Sequence, residues 1–149
     1  MGNLGFEEIL LLILVAAVIV TAIFYLITLQ NTLKAISPKN RKMEPGSVWV
    51  MLVPVLNAVF IFFIVEAIGV SLKREYEKNG VFKTEKPTAG LGIAMAILWI
   101  AGVFIPFVSF AGLVCWVIHW IKVNEHKNAI LALQHDRMQG MEEPSIFIS

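Results

Sequence analysis

Three polar residues, Asn57, Glu66 and His119, interrupt or border long apolar runs. Polar groups at membrane depth are rare and costly, which makes each a candidate for chemistry. Asn57 follows Val53-Pro54-Val55-Leu56, where an amide suits a helix N-cap or, alternatively, a substrate contact. Glu66 comes 12 residues after Pro54 and His119 comes 13 after Pro106, so parallel segments would set them at similar depth. A carboxylate beside an imidazole can relay protons or set a pH response. The plainer reading is an interfacial pair stabilising the bundle, or two side chains snorkelling to headgroups.

Other catalytic signatures are missing from the sequence. His119 and His126 are seven residues apart, about 10 Å along a helix, too far to chelate one ion. There is no paired-cysteine or H-E-x-x-H motif, no phosphate-binding loop and no G-x-S-x-G elbow. Cys115, the only cysteine, lies in an apolar run and reads as a small core hydrophobe. The sequence therefore predicts no cofactor, no metal and no enzymatic activity.

The elements that hold these residues are dictated by composition. Of 149 residues, 58% are hydrophobic and 15% charged, against about 25% charged in soluble domains. Twelve basic against 11 acidic residues give a net charge of +1 and no nucleic-acid footprint. Ile9 to Leu29 is uncharged and long enough to cross a hydrocarbon core of roughly 30 Å. Glu7 and Glu8 precede it and no small-residue cleavage pattern follows, so it reads as an anchor rather than a signal peptide.

Two further apolar stretches, 47–65 and 88–123, are each broken by proline. Val53 and Ile105 precede the prolines and are biased out of the helical region, while Asn57 and Ser109 would cap the helices that follow. Pro54, Pro106 and Ser109 thus mark the breaks, which read either as a weak internal repeat or simply as two helix ends. Gly80 is a natural stop for the helix after Pro54. The outer end of that helix, with Ile68, Leu72 and Tyr76 opposite Lys73, Arg74, Glu77 and Lys78, suits the headgroup level. The expected fold is an all-α integral membrane protein. It is a helical bundle with one N-terminal transmembrane helix and two proline-broken hairpins, three or four spans in all. Residues 1–140 form one membrane-embedded domain, and 141–149 a poorly ordered tail.

Basic residues orient it. The first eight residues carry none, the 30–46 stretch four, the 66–87 stretch five, the Pro106 turn none, and the chain from Lys122 onward three. If 47–65 crosses the membrane, eight basic residues lie inside and four outside. If it enters and returns, all 12 lie inside, with the N-terminus outside and the C-terminus cytoplasmic; the count favours this re-entrant arrangement. Gly90, Gly92, Ala94, Ala96 and Ala101 give small-residue spacing for close helix packing, either internal or between subunits. Trp116, Trp120 and Lys122 mark an interface.

Gln30-Asn31-Thr32-Leu33, Pro45-Gly46-x-Val48-Trp49, Val53-Pro54-x-x-Asn57, Ser71-Leu72-Lys73 and Trp120-Ile121-Lys122-Val123 resemble small uncharacterised bacterial membrane proteins of the DUF4328-like kind, common in Bacteroidota. The resemblance covers most of residues 25–128 and implies a bacterial inner-membrane location, with no activity attached. Few polar residues at depth favour a non-enzymatic accessory or assembly protein acting through helix packing. Its partners would be the lipid bilayer and other membrane subunits or a second copy. The alternatives are a subunit of an oligomeric channel or transporter, resting on the two broken helices, and a membrane-embedded enzyme.

Overall fold

The computed structural model describes residues 5–142. Four helices carry most of them: α1 (Phe6–Ala35), α2 (Pro54–Lys78), α3 (Ala89–Phe104) and α4 (Pro106–Glu142). Two 3-10 segments, Pro38–Asn40 and Pro45–Leu52, link α1 to α2. The fold is all-α, with no strand among the described residues. Three helical stretches are long and apolar enough to cross a membrane: Phe6–Ala35, Leu56–Lys78 and Pro106–Gly140. The expected tail falls, from residue 143 onward, outside the described residues.

Both proline breaks use one local design. Val53 (φ −87°, ψ 109°) and Ile105 (φ −129°, ψ 94°) are extended, because the proline ring crowds a helical predecessor. The proline then opens the next helix at its first position, where no backbone donor is lost. The helices accordingly start four residues earlier than caps at Asn57 and Ser109 would place them. Asn57 sits inside the first turn of α2, its N–H donating to the Val53 carbonyl at 2.8 Å. The Ser109 hydroxyl donates back to the Gly102 carbonyl at 3.3 Å and ties the tip of the α3–α4 hairpin. At the other end of α2, Gly80 takes φ 78°, and the Val81 N–H reaches the Tyr76 carbonyl at 2.9 Å to close the helix.

α3 lies along α4 and packs on α2, while α1 packs on α4 and the Pro45–Leu52 segment. The common core takes Leu29 and Leu33 from α1, Ile64, Ile68 and Leu72 from α2, Met95 from α3, and Val123 and Ile130 from α4. Ile68, Leu72 and Tyr76 are buried in this core. The first half of α1 behaves oppositely: residues 6–20 are all exposed.

The small residues divide sharply. Gly92 and Ala96 are buried, Ala94 and Ala101 are half-buried, and Gly90 faces open space. A methyl group on Gly92 would collide with Val65 and come within 2.8 Å of His119 Nε2. Gly69 serves the same purpose on α2, where a Cβ would stand 2.8 Å from that of Ala89.

Side-chain bonds gather the polar ends of the helices together. Lys42 reaches Ser71 and Glu66, Ser37 and Asn40 reach Glu75, Lys86 reaches Glu66, and Gln134 reaches the Ala35 carbonyl. The loops at 36–44 and 79–88 and the last turns of α4 therefore share one end of the bundle.

Candidate functional site

A cleft of about 350 Å³ opens between α1, the Pro45–Leu52 segment, α2 and α3. Its walls are mainly apolar, with Val18, Met51, Met95, Trp99 and Val103 among them, and Asn57 and Tyr25 supply polar atoms. Trp99 and Val103 stay largely exposed, so the cleft opens sideways. The start of α2 at Pro54 brings Asn57 to this wall. Its Oδ1 is buried and has no hydrogen-bond partner among the described residues. Such an atom costs free energy until a donor meets it.

Behind the cleft, α1 and α4 meet through aromatic side chains. Tyr25 packs edge-on against Trp116, Trp120 and His119, with ring centroids 5.5, 5.9 and 6.1 Å away. Its hydroxyl lies 3.0 Å from His119 Nδ1, and Trp120 Nε1 donates to Thr28 Oγ1 at 2.9 Å. With the phenol donating, His119 Nδ1 accepts and Nε2 carries the proton. That Nε2 is also buried without a partner among the described residues, close to Gly92. Cys115 lies half-buried beside the same core.

Glu66 and His119 take different partners. Glu66 accepts from Lys86 Nζ at 2.9 Å and lies 3.9 Å from Lys42 Nζ, on a partly exposed face. His119 is fully buried against Tyr25. The matched spacing from the two prolines sets their depth but not their direction around each helix, and the structure forms no hydrogen bond between them. His126 bonds instead to the Tyr76 hydroxyl at 2.8 Å.

Two residues that carry much of the polar network were not singled out in the sequence. Tyr25 is one. Glu75 is the other: fully buried, it accepts from the Ser37 N–H at 3.1 Å, Ser37 Oγ at 2.8 Å, Asn40 Nδ2 at 2.6 Å and Gln134 Nε2 at 3.0 Å. A visible signal existed. Glu75 continues the buried stripe of Ile61, Ile64, Ile68 and Leu72 at helical spacing, as Tyr25 begins that of Leu29 and Leu33.

No family model, curated protein or solved structure matches the chain. Among the described residues, no three His, Cys, Asp or Glu side chains gather to hold a metal ion. The cleft offers an amide acceptor, a phenol already engaged and apolar walls. That chemistry recognises an apolar group bearing a hydrogen-bond donor.

Proposed function

We propose that the chain is a non-enzymatic membrane assembly protein that seats a transmembrane helix of a partner in the cleft beside α1. The unpartnered Asn57 oxygen carries this reading. In lipid no water satisfies such an acceptor, whereas a neighbouring helix with a Ser, Thr, Asn or Gln side chain does. The exposed, apolar first half of α1 extends the same contact surface. Replacing Asn57 by leucine should therefore separate stability from function. The purified Asn57→Leu protein should melt higher, because an unsatisfied amide gives way to an apolar group of similar size. The native membrane complex that contains the protein should at the same time lose it. A variant that melts lower, or stays in its complex, would refute the assignment.

The membrane placement belongs to the same proposal. α1 crosses with its N-terminus outside, in the inner membrane of a bacterium, and the lysine-bearing end is cytoplasmic. Residues 47–65 enter and return on that side. Support comes from Lys42, just before this excursion, which meets Glu66 and Ser71 just after it. The Pro45–Leu52 segment covers about 16 Å, short of a 30 Å core, so on this reading α2 starts at Pro54 within the bilayer and not at its far side.

A further inference from the structure

At the end where the loops gather, a second open cavity of about 350 Å³ lies between α1, the 37–41 turn and the last turns of α2 and α4. Four cations line it, Lys34, Arg41, Lys78 and Arg137, and no acidic residue among the described residues does. Two of them are held in place. Arg41 donates from Nε to the Ile36 carbonyl at 2.8 Å and from Nη2 to the Lys34 carbonyl at 2.9 Å, and Arg137 Nη2 donates to the Lys78 carbonyl at 2.8 Å. Each guanidinium has five N–H groups, so donors remain on both. Lys78 Nζ donates to Ser37 Oγ at 2.7 Å and lies 3.9 Å from Glu75. That Glu75 carboxylate is enclosed and engaged by Ser37, Asn40 and Gln134.

We propose that this cavity binds the phosphate of an anionic phospholipid headgroup. Pre-positioned guanidiniums match phosphate oxygens, and basic pockets at helix ends are where charged lipids are held. The surroundings select a lipid over free phosphate. Val20, Phe24 and Ile27 form an exposed apolar stripe on α1 that leads, at helical spacing, to Lys34 at the cavity wall, giving acyl chains a track below the headgroup. They also select an anionic lipid over a zwitterionic one. A choline or ethanolamine group would find no open carboxylate here, because both oxygens of Glu75 are occupied from within.

The inference does not depend on the cleft or its partner. Its test is lipid titration of the purified full-length protein in neutral detergent, read by native mass spectrometry. Phosphatidylglycerol should bind about tenfold or more tighter than phosphatidylcholine, since each cation near an anionic surface adds roughly fivefold. The Lys34→Gln/Arg137→Gln protein should lose that preference. Lys122→Gln/Lys127→Gln, which removes the same charge from another part of α4, should keep it. Should the first pair fail to fold, Lys34→Gln alone replaces it, because Lys34 Nζ has no bond to another described residue. Equal binding of the two lipids by the wild type would overturn the proposal, as would equal losses in the two double variants. Displacement of phosphatidylglycerol by equimolar inorganic phosphate would show a free-anion site and overturn it too.

Discussion

A buried carboxylate is tolerable when its lone pairs find donors, and Glu75 meets that condition with four bonds from three residues. Those residues come from the α1–α2 link and from α4, so one side chain on α2 joins three parts of the chain. Glu75→Gln would turn a donor group toward donors, and should cost about 2–3 kcal/mol of stability in detergent melts. Loss below about 0.5 kcal/mol would mean that the network rearranges freely. The Tyr25–His119 bond follows the same logic at membrane depth. Tyr25→Phe should cost about 1–3 kcal/mol, because it leaves His119 without its one bond. Adding His119→Leu should recover part of that loss, since both polar partners are then gone. Strict additivity in this double-mutant cycle would show that the two residues do not act as a pair.

At the scale of the elements, α3 is positioned by what it lacks. Gly92 lets it approach Val65 and His119, so Gly92→Ala should cost about 1–3 kcal/mol by overpacking. Gly90 has open space around it, and Gly90→Ala should stabilise by about 0.5–1 kcal/mol through helix propensity. Similar melting of the two variants would remove Gly92 as the contact. The sequence shows the small residues but not which of them touch, because spacing of two and four residues leaves the direction of the face open. The apolar runs, both proline breaks and the Gly80 stop were all legible, each being set by backbone chemistry within a few residues. The starts of α2 and α4 were not, because two local rules compete there. Proline at the first helical position won over capping by Asn57 and Ser109. The polar contacts were the least legible. Glu66–Lys86, Glu75–Ser37 and Tyr25–His119 join residues 20, 38 and 94 apart in the chain, and periodicity gives only their faces.

For the whole molecule, one lysine-rich end is proposed to lie in the cytoplasm and the side-opening cleft in the bilayer. In a Cys115→Ser background, single cysteines at Lys39, Lys83 and Lys127 should react with an impermeant thiol reagent from the cytoplasmic side alone, and Gly5→Cys from outside alone. Labelling of Lys39→Cys and Lys83→Cys from opposite sides would mean that residues 47–65 cross rather than return. The claim that the cleft receives a partner helix is tested most directly by photo-crosslinking in native membranes. A benzoylphenylalanine at Val103, which lines the cleft, is compared with one at Phe63, which faces outward and is also exposed. The account predicts a single protein adduct from Val103, absent from Phe63 and lost when Asn57→Leu is added. Lipid adducts alone from both sites, or a protein adduct from Val103 that survives Asn57→Leu, would contradict it.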